Sequence, residues 1–337
     1  MRFTTSCSRL ALICAASALL ATGAQPAGGL AQPAGGASPP STTAPARPAP
    51  ETAQLRAFPS PEEAVKALIE ALQAPKMQSL IPILGRAVLN SVPQTEQQAD
   101  QVRRAAGAWL ARQPYEIAYP DEPEHRRALA LIGEARVPLP AVLVRTQRGW
   151  VFDSQGTIEA MRERRIGVNE ANALRALRAL AAAQAKFRVS DRFNDGVLQY
   201  SRHIRAATPG QIDGLVTDES VPGASLDLLN HAFAEAEGEP GDPKLRPPAG
   251  YGYRILSGQG PHAEGGARSY LVDGRMTEGF AAVAWPTRPG ETGLSTFIMD
   301  HRGMIFEREF GDRTVDEVRR MTAFDPGPGW DRVEEPE

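Results

Sequence analysis

Cysteine is almost missing from this chain. Of 337 residues only Cys7 and Cys14 are cysteines, and both fall within the first 24 positions. Whatever folds beyond that stretch has no disulfide, no thiolate nucleophile and no sulfur ligand for a metal, so packing must hold it together. Lysine is nearly as scarce: Lys66, Lys76, Lys186 and Lys244 are the full set, and arginine supplies the other positive charges. A formal net charge of −3 excludes the strongly basic surface on which nucleic-acid binding depends. Long apolar runs are missing too; the one at 10–20 (LALICAASALL) is too short to anchor a chain in a bilayer. There is no GxSxG elbow, no HExxH pair and no phosphate loop ending in Gly-Lys-Ser/Thr, which removes the common one-segment catalytic and cofactor motifs. The histidines (His125, His203, His231, His262 and His301) are scattered, none with a second histidine four residues on. No cofactor and no metal is expected.

What is present begins with an export signal. Arg2 and Arg9 precede the apolar run, and Thr22-Gly23-Ala24 follows it as a small-residue cleavage site. A signal peptide over 1–24 implies a periplasmic or secreted protein with no membrane span after cleavage. Losing Arg2 and Arg9 moves the formal net charge from −3 to −5. Ala-Gln-Pro-Ala-Gly-Gly occurs at 24–29 and again at 31–36, and a mixture of Pro, Ser, Thr and Ala follows within the stretch 25–56. Such a segment has too little apolar side chain to offset its ordering entropy, so it reads as a disordered linker.

Beyond the linker, hydrophobic content of 42% and charged content of 23% are those of globular domains. The expected fold is α+β in two halves, 57–166 and 167–325, with a tail over 326–337. Ser60-Pro61-Glu62-Glu63 is a capping box that starts a helix ending near Gln73. Further helices are expected over 76–84, stopped by Gly85, and 96–112. Strands follow over 128–132 and 137–145, with a hairpin at Gly149 into Trp150-Val151-Phe152-Asp153. This half suggests a small sheet wrapped on helices. A short helix over 157–164 then leads to a Gly-Val-Asn-Glu turn. From Asn169, read as a cap, Leu174, Leu177, Leu180 and Phe187 recur at helical spacing, with Arg175 and Arg178 on another face.

After Phe187 the chain reads as loop to Pro248, with one short helix near 225–234 and a mobile acidic stretch over 235–248. The last strands are 251–256, 269–272, 276–285, 294–299 and 304–307, with Asp273-Gly274 as a hairpin turn. A helix over 314–321 carries its own capping box, Thr314-Val315-Asp316-Glu317. The second half is thus a long helix packed on an antiparallel sheet.

Several short strings occur together in order: Phe58-x-Ser60-Pro61-Glu62-Glu63-Ala64, Trp150-x-Phe152-Asp153, Arg164-Arg165-Ile166-Gly167-x-Asn169-Glu170 and Ala183-Gln184. Then come Gly250-Tyr251, Gln259-Gly260, Gly265-Gly266-Ala267, Gly274-x-Met276, Gly279-Phe280, Ala284-Trp285-Pro286 and Gly293-x-x-Thr296-Phe297. As a set they resemble the bacterial domain-of-unknown-function family 2950, which implies an exported bacterial protein with no assigned activity. The second half also resembles the globular part of pilin-type proteins, a sheet against one long helix. It departs from them in that its helix lies mid-chain and carries Arg175 and Arg178, where pilins keep an apolar helix for the filament core.

Two candidate sites emerge. Arg162, Arg164, Arg165, Asn169 and Glu170 form a polar cluster at the expected helix start. It is either an anion site served by free amides and the helix dipole, or a set of arginine forks joining the two halves. Tyr251, Tyr253, Tyr270, Phe280 and Trp285 gather on the last strands and form a candidate groove for a glycan or peptide; since alternation turns some of them inward, sheet core is the default reading. Asp191, Asp195 and Gly196 faintly resemble a calcium loop, but Phe193 and Arg202 stand where oxygen ligands are required, and a plain turn is expected. His301 is expected to be an exposed turn residue. The function expected is a non-catalytic cell-envelope binding or scaffold protein, whose partner is an envelope component such as a glycan or peptide. The alternative is an envelope hydrolase or other enzyme with a noncontiguous site near the 164–170 turn.

Overall fold

The computed structural model describes residues 54–91, 96–120, 123–207, 211–216, 236–242, 245, 247 and 250–334. The expected signal peptide, most of the linker, both cysteines, His231 and the helix expected near 225–234 lie outside the described residues. The chain divides into two compact units, with the boundary between Arg164 and Arg165. The fold is α+β.

In the first unit, α1 (Pro61–Gln73) starts as its sequence dictates. Ser60 stays extended and its hydroxyl accepts a hydrogen bond from Glu63 N at 3.2 Å, while Pro61 occupies the first helical position, where no amide partner is needed. Ala64, Val65, Leu68 and Ala71 recur at helical spacing and are buried. A 3₁₀ turn (Met77–Leu80) runs into α2 (Ile81–Leu84), which Gly85 ends at φ 90°. Two further helices follow, α3 (Arg86–Asn90), which the pattern did not predict, and α4 (Glu96–Leu110).

Arg103 on α4 is 1% exposed, an extreme value for an arginine. Its guanidinium donates to the carbonyls of Ala71, Leu72 and Ala74 at 3.3, 2.7 and 2.6 Å, and to Asp100 at 2.9 Å. It thereby satisfies the last carbonyls of α1, which carries no basic residue in its own last turn.

The sheet of this unit is antiparallel in the order β1-β2-β4-β5, with β3 paired to β2. Its strands are β1 (Tyr115–Ala118), β2 (Arg127–Ile132), β3 (Val137–Pro138), β4 (Leu143–Thr146) and β5 (Gly149–Phe152). The run expected as one strand over 137–145 is broken in the middle, where two prolines, Pro138 and Pro140, cannot donate to a ladder. Gly149, at φ 118°, takes the left-handed turn position, and the backbone of Phe58 lies against it. Phe58, Leu68, Ile83, Leu143, Trp150 and Phe152 close the core between helices and sheet.

The region expected to hold a short helix, a turn and a second helix is instead one helix, α5 (Ser154–Arg188). Gly167 does not break it: that residue is exposed and open space surrounds it, so it costs the helix only about 1 kcal/mol relative to alanine. Asn169 therefore caps nothing.

In the second unit, Ala173, Leu177, Leu180, Ala183 and Phe187 of α5 share one core with a five-stranded antiparallel sheet. The strands are β8 (Tyr251–Leu256), β13 (Ala281–Pro286), β14 (Ser295–Asp300), β15 (Ile305–Glu309) and β16 (Asp331–Arg332), in the order β16-β15-β14-β13-β8. Every residue of β13 and β14 is buried, so these strands are covered on both faces. The strand expected over 276–285 is cut by Gly279 at φ 147° into β12 (Arg275–Met276) and β13. β12 pairs with β11 (Leu271–Val272), and β9 (Gly258–Gln259) with β10 (Arg268–Ser269).

Where a loop was expected after Phe187, β6 (His203–Arg205) and β7 (Gly214–Val216) pair in parallel. Gln184, fully buried on α5, acts as a substitute strand for Ser201: its Nε2 donates to Ser201 O and its Oε1 accepts from Ser201 N, both at 2.8 Å. The acidic stretch expected to be mobile is fixed over 236–239. Glu237 accepts from Ile204 N and Arg205 N at 2.8 and 2.6 Å, and Ala236 O accepts from Tyr253 N. Burial pushes the Glu237 carboxyl above its ordinary pKa against those two amide bonds.

The last helix, α6 (Thr314–Arg320), lacks its expected capping box, because the preceding 3₁₀ turn (Gly311–Arg313) already satisfies Thr314, whose hydroxyl donates to Gly311 O at 2.6 Å. Arg254 from β8 closes its other end, donating to Val318 O and Met321 O at 2.7 and 2.8 Å. The supposed tail is structured as far as 334: Trp330 packs edge-on to Phe310, and β16 pairs with β15.

Candidate functional site

The cluster over 162–170 separates into side chains with different tasks. Arg162 pairs with Glu159 one helical turn back, and Arg164 donates to Pro138 O at 3.2 Å. The remaining three grip the loop between β13 and β14. Arg165 Nε donates to Glu291 O at 2.9 Å, Asn169 Nδ2 donates to Thr292 O at 2.8 Å, and Glu170 Oε1 accepts from Leu294 N and Ser295 N at 2.8 and 3.1 Å. Positions 165 and 169 share a helix face because they are four residues apart, and Glu170 adjoins Asn169. The Glu170 carboxylate takes the amides of Leu294 and Ser295, and Asn169 donates to a carbonyl of the same loop. This is a clasp.

The loop is built to receive it. Thr292 Oγ1 accepts from Arg288 N at 3.1 Å, and Thr292 N donates to Arg288 O at 2.9 Å, closing a tight turn. Gly250, at φ 70°, leaves room for Thr292 and the Asn169 amide, while Gly293 leaves room for the Tyr251 ring. Tyr251 Oη donates to Ser295 O at 2.8 Å, and burial, with Glu170 nearby, pushes its pKa well above the ordinary phenol value. Arg165 Nε, Asn169 Nδ2 and Glu170 Oε1 are thus each bonded to the protein's own main chain.

The aromatic groove does not form. Tyr251, Tyr253, Tyr270, Phe280 and Trp285 are 0%, 3%, 0%, 1% and 1% exposed, so they make core rather than surface. The sheet-core reading holds, and it extends to all five because the central strands are buried on both faces. Tyr270 Oη donates to Gln259 Oε1 at 3.1 Å, and burial pushes its pKa up to about 12. The calcium-like loop is a turn: Asp191 Oδ1 and Oδ2 accept from Asp195 N and Gly196 N, and Asp195 pairs with Arg275 at 2.7 Å. Among the described residues no group of three or more His, Cys, Asp and Glu is arranged to hold a metal ion, and no helix is long and apolar enough to cross a membrane.

Nor is His301 the open turn residue that its hairpin suggested. It lies edge-on to Tyr270 with ring centroids 5.7 Å apart, and its Nδ1 is buried without a hydrogen-bond partner. Burial lowers its pKa, opposed by neighbouring Asp300. Asp300, 2% exposed, accepts from Arg302 N, Met304 N and Arg302 Nε, which fixes the hairpin turn.

One concavity was not visible in the sequence. It has a volume of about 250 Å³ and is lined by Gly260, Ile298, Arg320, Thr322, Asp325 and Trp330 among others. Asp325 Oδ1 accepts from His262 N at 2.8 Å and lies 3.0 Å from His262 Nδ1. Gly260 and Gly327 provide the space, since a Cβ at either would press on Asp325 or on the His262 ring. The one sequence hint was an isolated tryptophan within Gly-Pro-Gly-Trp-Asp, in a segment read as a tail.

These features define an α+β protein in which Arg165, Asn169 and Glu170 of α5 hold the hairpin loop between β13 and β14. Residues 55–333 match the family described as a protein of unknown function, DUF2950, and the chain belongs to that family. No curated protein and no solved structure matches it.

Proposed function

We propose that this is an exported, non-catalytic protein of the cell envelope, periplasmic or secreted, that binds or scaffolds another envelope component. The reading is carried by the clasp: Arg165, Asn169 and Glu170, on which the hydrolase alternative depended, are engaged with backbone atoms of residues 291–295. A catalytic acid or base must instead reach a substrate proton within hydrogen-bond distance. The signal-like N-terminus and the Pro- and Gly-rich leader support export and a spacer role. The pilin-type likeness fits a helix-on-sheet head without filament assembly, because the apolar face of α5 is already spent on its own sheet.

Cell fractionation of the full chain with a C-terminal tag, followed by co-sedimentation with insoluble envelope material, tests the reading. The expected result is a periplasmic or extracellular protein that pellets with that material; a cytoplasmic protein, or one that never pellets, would overturn it. Glu170→Ala should lower the melting temperature while the folded fraction still pellets. A hydrolytic activity of the purified protein that Glu170→Gln abolishes without changing its melting would restore the enzyme alternative.

A further inference from the structure

We infer that the concavity beside His262 and Asp325 is a binding site for a single carboxylate-bearing pyranose at a chain end, an inference that rests on the envelope-binding reading above. Its volume of about 250 Å³ falls below the ~300–1,000 Å³ of pockets that enclose larger ligands, and suits one sugar unit. Its lining combines three chemistries that such a unit requires. Trp330, half-buried at the rim, gives apolar surface for the C–H face of the ring, and the buried Ile298 backs the floor. Asp325 is held by His262, leaving carboxylate acceptor capacity for ring hydroxyls. Arg320, 74% exposed and only 4.0 Å from its nearest carboxylate, Glu317, is a cation available to an acidic substituent.

A peptide fits less well. Peptides commonly recruit unpaired main-chain groups along a strand edge. Here two of the segments flanking the concavity are already paired to each other: Gly260 N donates to Phe324 O, and Phe324 N donates to Gly258 O. Ile298 sits on β14, an inner strand of the sheet. The orientation of Asp325 is also fixed rather than accidental, since two glycines leave the room that the carboxylate and the imidazole occupy.

The test is titration of the purified full chain with oligogalacturonate, with N-acetylmuramic acid and with a neutral gluco-oligosaccharide, read by calorimetry and tryptophan fluorescence. Binding of one or both acidic sugars, at least tenfold tighter than the neutral one, is expected, and the two acidic probes distinguish a uronate polymer from a wall amino sugar as the source. Arg320→Gln, at an exposed position, should weaken acidic-sugar binding at least tenfold with unchanged melting. Trp330→Phe should weaken it while keeping the packing on Phe310. Equal binding of neutral and acidic sugars, or an Arg320→Gln protein that binds like the parent, would overturn the site. So would binding of a short peptide in place of all three sugars. If the parent and Arg320→Gln both pellet with envelope material but neither binds sugar, the site fails while the envelope-binding reading stands; if the parent does not pellet, that reading fails first.

Discussion

At the scale of single residues, the buried polar side chains of this protein substitute for secondary structure. Gln184 serves both backbone groups of Ser201 from a helix, a position that a hydrophobic pattern marks simply as inward. Gln184→Ala leaves a buried N–H and a buried C=O without partners, and should cost about 2–4 kcal/mol by chemical denaturation. A loss below about 0.5 kcal/mol would mean that the loop repairs itself. His301 makes a pH-dependent contribution. Its folded pKa is depressed, so the stability it contributes is fully present above the unfolded value of about 6.5 and is lost as pH falls through the folded pKa. The melting temperature should therefore decline from pH 7 towards pH 5. His301→Phe keeps the edge contact with Tyr270, removes the orphaned Nδ1, and should flatten that part of the profile. An unchanged slope would assign the titration elsewhere.

Among the elements, α5 is the one whose reading changed most. Gly167 and Asn169 together resemble a helix start, and local sequence carries no sign that the Asn169 amide is needed by Thr292, more than a hundred residues later. Gly167→Ala distinguishes the two geometries by sign. In an unbroken helix with open space at that position, alanine should stabilise by about 0.5–1 kcal/mol; in a turn that needs glycine it would destabilise. Differential scanning calorimetry decides. Elements with strong local signals were legible: the capped start of α1, the apolar face of α5 and the glycine hairpin into β5. Those set by distant partners were not. The short pair β6 and β7 depends on Gln184, Ser201 and Glu237, and the capping role of Arg103 depends on the end of another helix. The aromatic residues were read on the right strands with sheet core as their default environment, and their burial agrees with that reading and removes the groove. The concavity was illegible because Gly260, His262, Asp325 and Trp330 meet only through the pairing of Gln259 with Phe324.

For the whole molecule, the described residues contain no cysteine, so no covalent staple supports either unit. On the proposed export with loss of residues 1–24, the melting temperature of the purified protein should be the same with and without a thiol reductant. A reductant-sensitive transition would mean that Cys7 and Cys14 are retained and bonded. Both units instead rely on apolar cores tied by arginine and amide side chains, Arg103 in the first and Arg254 and Gln184 in the second.

The clasp also imposes an order in time. Asn169 and Thr292 are 123 positions apart. At synthesis rates of roughly 5–20 residues per second, about 6–25 s separate the appearance of one from the other. Residues 54–164 have all their core partners once the first turns of α5 have emerged, whereas the face at Arg165, Asn169 and Glu170 must wait for the last third of the chain. For that interval α5 displays unpaired polar groups and the bare apolar face of Leu177, Leu180 and Phe187. A nascent or translocating chain is then at its most vulnerable to aggregation and to proteases, and a helper that holds unfinished chains would find its target there.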